Sequence, residues 1–292
     1  MAAIVTPFRH EPTGSWSYLL RDSDGIAAAI IDPVLDYDPA SARVAHACAQ
    51  AMLDAVERDG LRVDWLLETH AHADHLTAAD WLRARLRERG AGTPKLGIGV
   101  GIAEVRRTFA KTLALRDEGT RGARFDHLFV EGEVFRIGNL RARVIATPGH
   151  TSDSVSYLIE DALFVGDTLF APDVGTARCD FPGGDAGTLY RSIQRLYTLP
   201  GDTRVFLCHD YPPAGRNALA QTSIAAERAS NIHLRGDTPE ADYVALRERR
   251  DATLSPPKLL WPALHVNLRA GRLPPQQQDG SIVFKTLAAA AP

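Results

Sequence analysis

The chain has 292 residues, 45% hydrophobic and 24% charged, a composition ordinary for a globular enzyme and long enough to bury a sizeable core. Lys and Arg total 33 against 36 Asp and Glu, a net charge of −3 at pH 7, so no basic excess exists to neutralise phosphates and no nucleic-acid partner is expected. The three cysteines, Cys48, Cys179 and Cys208, show no paired spacing, which sets aside a disulfide framework and a cysteine-based zinc site and favours a reducing, cytoplasmic setting.

The opening "MAAIVTPFRHEPTG" lacks a basic start followed by a long apolar run, so no secretory signal is read. No apolar run reaches membrane-spanning length, and no membrane partner is expected. "WSYLL" and "IAAAIIDPV" predict two buried strands joined by "RDSDG", whose Asp-Gly step suits a hairpin. A helical pattern runs from Ala40 to Gly60, a glycine stop. "VDWLLET" predicts a strand, and "LTAADWLRARLRERG" a helix closed by Gly90. Strands follow at "EVFRIG" and "RARVIATPG", then a hairpin in "SVSYLIEDALFVGD", a helix at "GTLYRSIQRLYTL" and a strand at "TRVFLC". After Pro213 the pattern is mostly helical to about Leu254, then Pro-rich and irregular, and the terminal "LAAAAP" is expected to fray.

Strand blocks mixed with helices predict layered sheets with helices outside. The expected division is a main domain over 1–213 and a helical extension over 214–292 packed on it. The arginine-rich stretches "RARLRERG" and "RERRD" read as solvated helix faces.

"ETHAHADHL" at 68–76 places three histidines and an aspartate within six residues. A solvated loop has no use for so many imidazoles, and a packed core would have to satisfy every ring nitrogen, so a metal site is expected. Further donors stand just beyond predicted strands: His70 after "DWLLET", His150 after "ARVIATPG", Asp167 after "ALFVG" and His209 after "RVFLC". Loops beyond strand ends are where layered α/β folds assemble their sites. His70 and His72 lie two apart, so an extended segment aims both the same way, while Asp74 and His75 enter from the turn into the next helix. The candidates are thus His70, His72, Asp74, His75, His150, Asp167 and His209. Imidazole and carboxylate donors without thiolate suit zinc, iron or manganese, and do not suit a closed structural zinc site. Taken singly, "TPGHTSDS" also reads as a capped turn, "GDT" as a helix cap and "CHDY" as a core histidine.

The ordered run "HAHADH", "TPGHT", "GDTLF" and "CHDY" resembles the metallo-β-lactamase superfamily over roughly residues 15–215. That resemblance implies an α/β (α+β) fold, the αβ/βα sandwich of two mixed sheets flanked by helices, with the metal site along one edge. "IIDPVLDYDP", "LETHAHADHLTAA", "GTARCDFPGGD" and "VNLRAGRLPP" extend it over nearly the whole chain, toward the persulfide dioxygenases related to glyoxalase II. The Arg-x-Asp-Phe run at Arg178 follows the dioxygenase pattern, and "TPGHTSDSVSY" lacks the second His that glyoxalase II usually carries there.

The resemblance implies one Fe(II) per chain on His70, His150 and Asp167, with O₂ and glutathione persulfide as substrates and sulfite and glutathione as products. His72, Asp74, His75 and His209 would orient those ligands; in the alternative, a two-zinc hydroxyacylglutathione hydrolase, they would hold a second metal. Arg178 and Tyr211 match positions that contact glutathione in this branch, although Arg178 reads equally as an ion pair with Asp180 and Tyr211 as a packed ring. A homodimer and a rhodanese-type sulfurtransferase partner are implied as well. Cys179 and Cys208 read as inert, with Cys179 the more accessible of the two.

Overall fold

The computed structural model describes residues 3–113, 115, 124–279 and 281–284, so the terminal "LAAAAP" lies outside the described residues. The chain opens on β1 (Ala3–His10), a strand the sequence pattern did not reveal, whose Pro7 is tolerated because β1 is the edge of its sheet. β2 (Ser15–Asp22) and β3 (Ala27–Ile31) form the expected antiparallel hairpin. β4 (Val34–Asp38) turns into β5 (Arg43–Ala45) through a polar bend in which Ala40 N–H and Ser41 Oγ both donate to the Asp38 carboxylate. That bend delays the helix expected from Ala40: α1 covers Ala47–Arg58 and stops before Gly60. β6 (Arg62–Leu67), β7 (Leu76–Thr77) and α2 (Ala79–Glu88) follow, and Gly90, with φ +68°, closes the last as expected.

β8 (Lys95–Gly99), α3 (Ile102–Leu113) and β9 (His127–Phe129) complete the first half. The second half brings β10 (Val134–Ile137), β11 (Leu140–Ala146), β12 (Val155–Ile159), β13 (Ala162–Phe164), α4 (Ala186–Leu196) and β14 (Arg204–Phe206). Two expectations beyond Pro213 need adjustment. The region expected to be mostly helical also holds β15 (Gln221–Ser223), which pairs antiparallel with β14 before α5 (Ile224–Ser230) and α6 (Glu240–Asp251). The Pro-rich stretch is not wholly irregular, since it contains α7 (Leu260–Asn267). Pro262 sits in the first turn of α7, where a missing N–H removes no intrahelical bond.

Two six-stranded mixed sheets result, ordered β1-β2-β3-β6-β8-β9 and β10-β11-β12-β13-β14-β15. Strand alternation sorts their side chains into layers. Ala29, Ile31, Leu67, Tyr157 and Phe164 fill the space between the sheets, and burying each large apolar side chain there is worth about 1.5–3 kcal/mol. Ile30 and Leu66 face outward onto α1, α2 and α7 through Met52, Leu82 and Val266. Leu163 and Val205 face outward onto α4 and α6 through Leu189, Ile193 and Tyr243. This is a helix–sheet–sheet–helix sandwich. Among the described residues, no helix is long and apolar enough to cross a membrane. Of the two arginine-rich stretches, "RARLRERG" lies mostly in solvent as expected, but Arg247 of "RERRD" is fully buried and paired with Asp251.

Candidate metal centre

Parallel pairing of β3, β6 and β8 in one sheet, and of β13 and β14 in the other, gathers strand C-termini on one rim. His70, His72, Asp74 and His75 lie just past β6, and His150 follows β11. Asp167 sits in a short 3₁₀ turn after β13, and His209 follows β14, where it bridges back to Ser15 at the start of β2. All seven candidates therefore meet on this rim, in two adjoining groups.

His70, His150 and Asp167 form one group and His72, Asp74, His75 and His209 the other, with the donor atoms of each group within 4.8 Å of one another. Asp167 joins the groups. Its Oδ2 lies 3.9 Å from His70 Nε2 and 3.6 Å from His150 Nε2, while its Oδ1 lies 3.3 Å from His209 Nε2. His209 Nε2 is also 3.1 Å from Asp74 Oδ2. Every one of the seven is buried except Asp74, whose side chain is a quarter exposed.

Hydrogen bonds fix which ring nitrogens keep a free lone pair. His150 Nδ1 meets the Arg178 carbonyl at 2.7 Å, so Nδ1 must carry the proton and Nε2 the lone pair. Thr69 Oγ1 donates to Asp32 at 2.9 Å and accepts from His70 Nδ1 at 3.1 Å, which again frees Nε2. His72 Nε2 donates to Asp32 Oδ1 at 3.0 Å, which turns Nδ1 into the cluster, and the Asp32 carboxylate outweighs burial to hold this imidazole well above its usual range. Burial, together with nearby His72 and His150, holds the His70 imidazole well below its usual range. Burial and His72 bring His75 down to about 4. Both rings are neutral at pH 7 and available as ligands.

His70 Nε2, His72 Nδ1, Asp74 Oδ2, His75 Nε2, Asp167 Oδ1 and His209 Nε2 are buried without a hydrogen-bond partner. An unsatisfied buried polar atom costs about 1–3 kcal/mol, so a cluster of them aimed at one place calls for an occupant. A divalent cation fits: the donors are imidazoles and carboxylates, as zinc, iron and manganese accept. Cys208 lies beside the cluster, but burial pushes its thiol up and keeps it protonated. Cys179 is buried rather than accessible, and burial and Asp251 push its thiol up to about 12. Neither cysteine has the lowered pKa of a reactive thiol.

A cavity of about 500 Å³ opens from Asp74, His150 and Asp167. Phe170, Val174, Phe181 and Leu254 make its walls apolar, and Arg178, Arg250 and Lys258 line it with positive charge. The Arg178 guanidinium is already engaged: Nε and Nη2 donate to Asp180 at 2.6 Å each, and Nη1 donates to Ser255 O at 2.7 Å. Arg250 and Lys258 are paired with no carboxylate among the described residues. The Tyr211 ring stacks on His209 with centroids 5.7 Å apart, and it is half exposed in the cavity wall.

Several residues that aim the donors were not among the sequence candidates and stand far from them in the chain. Asp32 accepts from Thr69 N–H at 2.7 Å as well as from His72, and Asp153 accepts from Ala71 N–H at 2.8 Å. Asn267, at the end of α7, donates to both His72 O and His75 O at 2.8 Å. The one clue to Asn267 is a short polar residue closing an apolar helical run.

Fold and site together define a metal-binding two-sheet sandwich with its donors on a single rim. The chain belongs to the metallo-beta-lactamase superfamily, whose profile matches residues 10–209. It is 45% identical over 287 residues to a beta-lactamase hydrolase-like protein of Xylella fastidiosa, covering 97% of this chain but only 65% of that longer protein. Glyoxylase B2 of Dictyostelium discoideum is 43% identical, with 96% of this chain and 94% of that one covered. Human mitochondrial persulfide dioxygenase ETHE1 is 29% identical over 80% of this chain and 77% of its own length. The crystal structure of ETHE1 from Myxococcus xanthus superposes with a TM-score of 0.72 at 31% identity, covering 92% of this chain and all of that one.

Proposed function

We propose that the chain is an iron(II)-dependent persulfide dioxygenase that oxidises glutathione persulfide with O₂ to sulfite and glutathione. The observation that carries this reading is the buried set of His70, His150 and Asp167, of which His150 and Asp167 line a cavity of about 500 Å³ shared with Arg250 and Lys258. Such a volume suits a tripeptide thiol, and its charge suits a ligand with two carboxylates. The human and Myxococcus relatives support the same reading. His70, His150 and Asp167 would hold Fe(II), which would supply open coordination positions for activating dioxygen toward the persulfide sulfur.

The chain's own part is to hold, aim and exclude. His70 and His150 present Nε2 lone pairs because Thr69 and the Arg178 carbonyl fix their Nδ1 protons. Phe170, Val174 and Phe181 keep water from the inner cavity, while Arg250 and Lys258 meet glutathione carboxylates near its mouth. Tyr211 and Asp74 border the same space, and His72, Asp74, His75 and His209 would orient the ligands from beside them. Helices α5 to α7 pack on the sandwich as an extension of it. A persulfide substrate needs a sulfur donor, so a rhodanese-type sulfurtransferase is the proposed partner and a homodimer the proposed assembly.

One observation favours a second reading. The unsatisfied atoms of Asp74, His75 and His209 could hold a second ion, as in a two-zinc thioester hydrolase. Metal analysis of the purified protein, with oxygen uptake on glutathione persulfide and hydrolysis of S-D-lactoylglutathione, separates the two. One iron per chain with persulfide-dependent oxygen uptake is expected. Two zinc ions per chain, thioester hydrolysis and no oxygen uptake would end the dioxygenase reading.

A further inference from the structure

We propose, resting on the reading of His150 as a metal ligand, that the buried Arg247–Asp251 pair of α6 is a clamp that positions His150 and so sets the metal affinity. The segment 175–179 runs between the cavity and α6, and its backbone is anchored on both sides of Arg178. Before it, Thr176 O accepts from Arg247 Nη1 at 2.9 Å, and Thr176 N–H donates to His233 Nδ1 at 2.9 Å. After it, Cys179 N–H donates to Asp251 Oδ2 at 2.8 Å. Arg247 and Asp251 stand one helical turn apart and close the clamp through Nη2 to Oδ1 at 2.6 Å. Between these anchors the Arg178 carbonyl receives the His150 Nδ1 proton at 2.7 Å.

Arg178 therefore reaches a metal donor through its backbone, not its guanidinium. If its carbonyl drifts, the His150 ring loses the contact that holds its tautomer and aims Nε2 at Asp167. Partners that orient a ligating imidazole in this way typically carry about 10–100-fold in metal affinity. A stability role alone accounts poorly for the pair. Replacing a buried ion pair by packed apolar side chains is often neutral or stabilising, because desolvation offsets the Coulomb attraction. What apolar replacements cannot supply is the donor to Thr176 O and the acceptor for Cys179 N–H.

That difference provides the test. The double variant Arg247→Met, Asp251→Leu removes the clamp while keeping the buried volume filled. Each protein is loaded with cobalt(II) alone, and release into excess chelator is followed by the ligand-field absorption, with thermal unfolding recorded alongside. The expected result is a variant that folds, with an unfolding temperature lowered by the unmet Thr176 O and Cys179 N–H, and that releases cobalt about 10–100-fold faster at room temperature. If the parent takes up no cobalt, the reading of His150 as a ligand fails, and the clamp with it. If the parent binds cobalt and the folded double variant releases it at the parent rate, the clamp alone is overturned. Should the double variant not fold, Arg247→Lys decides, because it keeps a positive charge beside Asp251 but lacks the fork that reaches Asp251 and Thr176 O together. Faster release from Arg247→Lys upholds the clamp, and unchanged release overturns it.

Discussion

Asp167 divides its carboxylate between the two donor groups, one oxygen toward His70 and His150 and the other toward His209. It and the other six candidates, which the structure brings together, stand out in the sequence because each is a ligating residue type placed just beyond an apolar strand. The residues that aim them do not. Asp32 acts on Thr69 across 37 positions and Asn267 on His72 across 195, and no local pattern encodes such contacts. Arg178 shows the same limit from the other side. Its guanidinium, read from the sequence equally as a glutathione contact and as an ion pair with Asp180, makes the ion pair and also donates to Ser255 O. Under the proposed function, the substrate's charge would fall to Arg250, exposed in the cavity wall. Arg250→Ala is expected to raise the KM for glutathione persulfide about three- to fivefold, the size of a solvent-screened charge contact, with kcat and metal content unchanged. Steady-state kinetics check this, and an unaltered KM would take Arg250 out of the substrate site.

Elements with a strong period and a clean stop declared themselves. The hairpin of β2 and β3, and α2 with Gly90 behind it, match what their residues predicted. Elements that break a local rule for a tertiary reason did not. β8 carries Gly97 and Gly99 because Phe129 and the Asp153 backbone approach too closely for a side chain, and α7 hides behind a first-turn proline. The turn that carries Asp167 is built under the same kind of constraint. Gly166 has φ +53°, and a Cβ there would lie 2.6 Å from Thr69 Oγ1, the group that orients His70. Gly166→Ala is expected to cost about 1–3 kcal/mol of stability through backbone strain and overpacking, and to lower metal content as Thr69 is displaced. Urea unfolding and metal analysis after gel filtration measure both effects; an unmoved midpoint with full metal would show that the turn yields freely.

Across the molecule, stability is expected to depend on pH through His233, buried in the link between α5 and α6. Burial, then the charges of Arg247 and Arg250, bring its pKa down to about 4. A ring that stays neutral when folded but takes a proton near pH 6.5 when unfolded contributes stability that is full above pH 6.5 and is lost as pH falls toward 4. Protonation would also abolish the acceptor for Thr176 N–H. His233→Gln removes this titration, so its unfolding free energy is expected to fall less steeply than the parent's between pH 6.5 and pH 4. Parallel slopes from urea titrations at several pH values would exclude His233 as the source.

The donors are shared between the halves of the sandwich: His70 to His75 extend from β6 in the first sheet, while His150, Asp167 and His209 extend from the second. Neither sheet alone owns a full grip on a cation. A captured ion thus acts as a rivet through both layers, and its escape and the parting of the layers become one event seen from two ends. Substitutions far from the rim that let one layer slide over the other would surface first as a leaking ion, well before the fold itself gives way.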